Sequence, residues 1–139
     1  MNEPGFFQIT LKLFLRDGNR LLVLRDKESG QGDLPGGRIT QDEFFADWQL
    51  ALQRELREEL GGNAQYSLEP SFFMLRKHLI DAGEHACLWI GYRGNWQGGE
   101  IRLSHEHDFM DWVDITSYNP ESLFRGTSLA AIQEYLQTI

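Results

Sequence analysis

Apolar residues recur at every second position near the start of the chain. Ile9, Leu11, Leu13 and Leu15 alternate with Thr10, Lys12 and Phe14, and Leu21 to Leu24 form a short apolar run beyond Asp17-Gly18-Asn19. This pattern predicts a β-hairpin. A second pair of strands is expected at Phe72 to Ile80 and His85 to Tyr92 around Asp81-Ala82-Gly83-Glu84, and a last short strand at Met110 to Ile115. The period then changes. Asp47 to Leu60 contains no Gly or Pro, has Asp47 as an N-cap, and runs into Gly61-Gly62, which predicts a helix. Leu129, Ile132, Tyr135 and Leu136 recur at helical spacing and predict a second helix over Ser128 to Thr138, capped by Thr127 or Ser128. Strands on both sides of a central helix, with another helix at the end, imply a mixed sheet packed between helices.

Composition narrows the class without altering this picture. The 139 residues suit a single domain spanning 1–139. With 41% hydrophobic and 24% charged residues, the chain has neither a disordered nor a collagen-like composition, and one cysteine rules out a disulfide scaffold. Thirteen basic against 21 acidic residues give a net charge of -8, which disfavours a nucleic-acid polymer as partner. Phe6 to Leu15 is broken by Gln8, Thr10 and Lys12, so it reads neither as a signal peptide nor as a membrane span. A cytoplasmic location with no membrane partner is expected, and Cys87 suits a reducing compartment. A homodimer is compatible with the chain, because apolar surface patches are not legible in a sequence.

The chemistry centres on the first helix. At about 100° per residue, Glu55, Glu58 and Glu59 fall on one side, and Leu52, Leu56 and Leu60 form an apolar stripe beside them. Like charges at this spacing repel and raise one another's pKa, so a positive group is expected among them. Oxygen ligands on a rigid element suit Mg²⁺ or Mn²⁺, which bridge carboxylates and phosphate oxygens. Upstream, Leu34-Pro35-Gly36-Gly37 forms a turn whose glycines permit close backbone approach and offer carbonyl oxygens as further hard ligands.

Gly37, Glu43 and the run Arg54-Glu55-Leu56-Arg57-Glu58-Glu59-Leu60-Gly61 together resemble the Nudix box, G-x5-E-x7-R-E-U-x-E-E-x-G-U, where U is a bulky apolar residue. Three positions depart from it. Ten residues rather than seven separate Glu43 from Arg54, read as an insertion of Phe44-Phe45-Ala46 that lengthens the approach without rotating the glutamates. The insertion counts against the Glu43–Arg54 pairing that the resemblance implies, and against a catalytic role for Glu43. Gly62 replaces an aliphatic residue, and Gly32 stands where many relatives carry a bulky aromatic, a change expected to alter the substrate pocket.

The resemblance implies an α+β fold, an α/β/α sandwich with a mixed central sheet, and hydrolysis of a nucleoside diphosphate linked to another moiety. On that reading Mg²⁺ or Mn²⁺ is held by Glu55, Glu58 and Glu59 with a carbonyl from Gly36 or Gly37. It clamps the diphosphate and activates a water, and Glu58 or Glu106 takes the proton. Glu106, in Glu106-His107 ahead of Trp112-Val113, resembles a late glutamate that some members use as a further ligand or general base. Arg54 is expected to orient the carboxylates. Arg25, Arg38 and Arg76 are candidates for the substrate's phosphates.

Other residues add less. His105 and His107 form a His-x-His pair without a third soft ligand, so no zinc site is expected, and His78 and His85 have no partner pattern. Trp48, Trp89, Trp96 and Trp112 read as core, with Trp96 or Tyr92 available to stack a base. Two other functions are compatible with the box. One is a Nudix-fold sensor that binds a nucleotide without cleaving it, although three crowded acids serve no purpose there. The other is an isopentenyl-diphosphate isomerase, disfavoured because Cys87 lies inside a strand pattern.

Overall fold

The computed structural model describes residues 2–80 and 83–139. Strand β1 (Gln8–Asp17) turns at Gly18 into β2 (Arg20–Asp26); β3 (Gly32–Asp33) and β4 (Gly36–Arg38) follow, then a 3₁₀ turn at Gln41–Glu43 and helix α1 (Trp48–Leu60). After them come β5 (Ala64–Leu68), β6 (Met74–Ile80), β7 (His85–Gly99), β8 (His107–Asp114), a 3₁₀ turn at Pro120–Ser122 and helix α2 (Gly126–Gln137). The expected mixed sheet between helices is present, and it has more strands than the pattern suggested. β3 and β4 are too short to show a period, β5 has no buried residue to mark an inner face, and β7 runs past Tyr92 to Gly99 through a stretch in which Trp96 is the one apolar side chain. Residues Asp81 and Ala82 of the expected β6–β7 turn lie outside the described residues.

The first hairpin closes only at its tip, where Arg16 and Asp17 face Leu21 and Arg20. Beyond that the two strands part. The freed edge of β1 pairs antiparallel with β4, placing Lys12 opposite Gly36 and Leu11 opposite Gly37, while β2 continues against β3 and β8. The other edge of β1 pairs in parallel with β7 from Gln8–Cys87 to Arg16–Asn95, and β7 also carries β5 and β6.

β1 is buried on both faces, which is why its alternation is apolar against mixed rather than apolar against polar. Leu11, Leu13 and Leu15 pack with Leu52, Leu56 and Leu60 of α1, and each buried leucine stabilises the fold by roughly 1.5–3 kcal/mol. Phe14, on the opposite face, joins Trp89, Ile132 and Tyr135 beneath α2, with the Phe14 and Tyr135 rings stacked at 4.5 Å. α1 starts from Asp47, whose carboxylate accepts from the Gln49 amide, and ends at Gly61 with φ +88°. α2 begins two residues earlier than its pattern indicates, so its N-cap is Arg125, which has no acceptor side chain, and Thr127 lies inside the helix with its hydroxyl 2.8 Å from His78 Nδ1.

The unusual positions in the box find local explanations. A Cβ on Gly32 would lie 2.7 Å from the ring of Phe124, a fully buried residue that fills this space from the other end of the chain. A Cβ at Gly62 would meet no atom within 4 Å, so nothing presses on this position. Tyr92 is buried in the core, and Trp96 leans on Trp112 with ring centres 5.6 Å apart, so Tyr92 has no face free to stack a base.

Candidate active site

The glycine corner and the acidic face of α1 meet at van der Waals distance. Gly36 has φ +130°, and a Cβ there would collide with the Leu11 carbonyl, so only glycine fits. A Cβ on Gly37 would fall 2.5 Å from a Glu55 carboxylate oxygen, so Gly37 provides the room in which Glu55 sits. The Gly36 amide donates to Glu59 Oε1 at 2.7 Å, a short charge-assisted bond that fixes this glutamate against the corner.

The β1–β4 ladder separates the roles of the two glycine carbonyls. Leu13 N donates to Pro35 O at 2.8 Å and Ile39 N to Ile9 O at 3.0 Å, on either side of the Leu11–Gly37 pair. Antiparallel pairs alternate between bonded and non-bonded. Gly37 therefore belongs to a bonded position, whereas the Gly36 carbonyl turns away from the ladder and accepts from Lys12 Nζ at 3.2 Å.

Glu106 approaches Glu59 from the turn just before β8. The segment after β7 is strung along the C-terminal end of α1, with Arg102 N on Leu60 O at 2.8 Å and Ser104 N on Glu59 O at 3.1 Å. It delivers Glu106 and His107 so that one ligand atom each from Glu59, Glu106 and His107 lie within 4.8 Å of one another. His107 is buried and its Nε2 lies 3.0 Å from Asp33 Oδ2, while its Nδ1 has no hydrogen-bond partner among the described residues. Two carboxylates and the His107 imidazole, whose buried Nδ1 is the orphaned atom, are a donor set that fits a divalent cation; Glu55 and Glu58, expected as ligands, are not in this group.

Two basic side chains compensate the acids. Arg54 forms a fork to Glu43 at 2.7 and 2.8 Å and reaches Glu55 at 3.1 Å, Glu58 at 3.3 Å and the Arg38 carbonyl at 3.2 Å. The extra residues do not separate Glu43 from Arg54. They bulge outward, with Phe44 and Phe45 edge to face at 5.0 Å and Phe45 almost wholly exposed. Lys12 supplies the second cation, bonding Asp33 Oδ1 at 2.9 Å and the Leu34 carbonyl at 3.1 Å as well as Gly36. Lys12 and Asp33 were not among the residues singled out from sequence. The available signal was a lysine on a strand with apolar neighbours on both faces.

Burial and these cations set the charge states. Burial drives Glu59 up to about 7, against the pull of Lys12 and the Gly36 amide. Glu55 is likewise raised by burial, partly offset by Arg54. Burial opposes the Asp33 carboxylate, yet Lys12 and the bond from His107 hold it down at about 2. Hydrogen bonds from Arg54 hold Glu43 at about 2. Burial also opposes the charged forms of Lys12 and His107, and the acids around them outweigh it, so both are raised.

The three other arginines do not converge. Arg25 pairs with Asp108 at 2.8 Å and lies over the Phe109 ring, Arg76 pairs with Glu134 of α2 at 3.2 Å, and Arg38 bonds Gln8 Oε1 at 3.1 Å. Arg38 is the one whose backbone touches the Arg54 cluster. Cys87 is buried, with Sγ 3.2 Å from Thr10 Oγ1. Beside Asp33 a cleft of about 460 Å³ opens, lined by Gln31, Arg125 and Ser128 among others; His78, Gly126 and Thr127 are shared with a largely apolar cavity of about 620 Å³.

Comparison with known proteins agrees with this architecture. The NUDIX domain profile matches residues 7–131. A search of curated protein sequences returns no match. Among solved structures, a MutT NUDIX hydrolase from Burkholderia pseudomallei is 20% identical with a TM-score of 0.73, covering 94% of this chain and 98% of its own. A MutT protein from Methanosarcina mazei Go1 is also 20% identical at a TM-score of 0.73, with 99% and 97% covered. A possible asymmetric diadenosine tetraphosphate hydrolase from Jonesia denitrificans is 18% identical at 0.76, with 95% and 94% covered. These likenesses establish a shared fold, and the domain match spans most of the chain: it belongs to the Nudix family of pyrophosphohydrolases.

Proposed function

We propose that this protein hydrolyses the diphosphate linkage of a nucleoside diphosphate joined to a further moiety, with Mg²⁺ or Mn²⁺ as cofactor. The observation that carries this reading is that Glu55 and Glu59 lie against Gly37 and Gly36, and that Glu59 also comes within 4.8 Å of Glu106 and His107. Glu55, Glu58, Glu59, Glu106 and the Gly36 carbonyl are the residues that would hold the cation. Gly37 serves by its lack of a side chain. The bound cation supplies a Lewis acid that neutralises charge on the diphosphate and makes water acidic.

The chain's own groups supply the rest. Glu58 is 60% exposed, and Glu106 is exposed too; these are the carboxylates with room to accept a proton from attacking water. Arg54 keeps Glu58 and Glu55 in one orientation through its guanidinium, and Glu43 anchors that guanidinium from outside the cluster. The cleft beside Asp33 and the apolar cavity beyond it give the substrate's base a partly water-free surface. A sensor that only binds has no use for acids crowded this closely, and the buried Cys87 offers no reagent for an isomerase.

The test is a panel of nucleoside triphosphates, sugar nucleotides and dinucleotides in ¹⁸O-labelled water. The expected outcome is label in one phosphate product of at least one substrate, abolished by EDTA and restored by Mg²⁺ or Mn²⁺. Hydrolysis that continues unchanged in chelator would refute the cation's role, and no labelled product from any member would refute the activity.

A further inference from the structure

Lys12 does more than balance charge. An ammonium has three N–H donors, and here all three are engaged, by Asp33 Oδ1, Leu34 O and Gly36 O. None remains for a substrate phosphate. Two of the three acceptors are backbone carbonyls of the corner itself, and the residue between them, Pro35, is held by the Leu13 amide. The same Gly36 whose carbonyl meets Lys12 donates its amide to Glu59. Asp33 extends the arrangement to His107, the first residue of β8 and the neighbour of Glu106 in the chain. Glu59 and His107 are thus each two hydrogen bonds from a single ammonium, by way of Gly36 and Asp33.

We propose that Lys12 is a positioning residue for the hydrolysis: it holds the Gly36 carbonyl, and through the Gly36 amide the Glu59 carboxylate, in the arrangement a divalent cation needs before any cation arrives. A carbonyl oxygen has two lone pairs, so the one engaged by Lys12 orients the other without occupying it. A corner ordered in advance spares the cation the cost of ordering it. This inference rests on the reading of the site given above, but its central measurement needs neither substrate nor cation.

In ¹H–¹⁵N spectra of the metal-free protein, the Gly36 amide should resonate far downfield and exchange slowly, as a donor to a carboxylate at 2.7 Å does. In Lys12→Met that resonance should move upfield and exchange at least about tenfold faster. The Mg²⁺ concentration giving half-maximal turnover should rise about tenfold, with KM for substrate at saturating Mg²⁺ changed by less than about threefold. Loss of stability alone would move neither the resonance of the folded protein nor this split. Lys12→Arg keeps a cation beside Asp33 but replaces three convergent donors by a planar fork, and it should show the same changes, which distinguishes placement from charge. It also serves as the reading should Lys12→Met not fold. An unmoved Gly36 amide with unchanged or tighter Mg²⁺ binding in the variant that folds would overturn the proposal, as would fast exchange of that amide in the parent protein. Absence of turnover on every substrate, with the amide behaving as described, would instead count against the enzymatic reading alone.

Discussion

The two basic residues that gather the acids work in opposite settings. Lys12 is 12% exposed and spends its bonds on backbone carbonyls and one carboxylate beneath the corner. Arg54 is 28% exposed and spends most of its bonds on the side chains of Glu43, Glu55 and Glu58 above α1. A compact ammonium bound to main chain fixes a shape. A planar guanidinium shared among three glutamates fixes directions while leaving Glu58 60% exposed. The difference separates a buried part of the site, fixed through main chain, from a more solvated part, held through side chains.

Breaking each pair tests that division. Asp33→Asn leaves the Lys12 charge buried without its counter-ion and should cost about 3–5 kcal/mol in denaturant unfolding. Arg54→Met removes a more solvated cation and should cost about 1 kcal/mol. Equal losses would mean that burial does not distinguish the two. On activity the ordering reverses in kind: Glu58→Gln should leave the circular dichroism spectrum unchanged and lower turnover about 10²-fold or more, because a carboxylate is lost without any loss of packing. Turnover equal to the parent's would remove Glu58 from the chemistry.

Acid titration sharpens the comparison with smaller effects. Asp33 and Glu43 are both held at about 2, below their unfolded values, so their contributions are present above about pH 4 and are lost as pH falls toward 2. In about 0.5 M salt the Glu43 share, carried by the more exposed Arg54, should shrink while the Asp33 share, carried by the more buried Lys12, persists. Comparing Glu43→Gln with Asp33→Asn in a series of thermal melts checks this. Glu59 acts with the opposite sign. Its folded value of about 7 lies above the unfolded one, so in chelator its contribution is complete below about pH 4.5 and disappears as pH rises through 7. Glu59→Gln should flatten that limb.

The sequence revealed the parts of the fold and site that repeat or cluster along the chain. The α1 stripe, the capping Asp47 and the acids on the neighbouring face follow from helical spacing alone. The parting of β1 from β2 does not, because a hairpin pattern specifies its turn and not how far the ladder continues. Lys12 was hidden for a related reason: on a strand buried on both faces, a lysine in the second register looks like a solvent-facing residue until β4 and Asp33 are placed beside it. Phe124 over Gly32 was equally out of reach, since a bulky side chain supplied from a distant segment leaves no local trace.

The parallel ladder between β1 and β7 carries one more consequence. Gln8 meets Cys87 across it, so the strand holding Lys12 cannot acquire its neighbour until much of the polypeptide has been synthesised. During translation that edge of β1 must wait unpaired until β7 has been made.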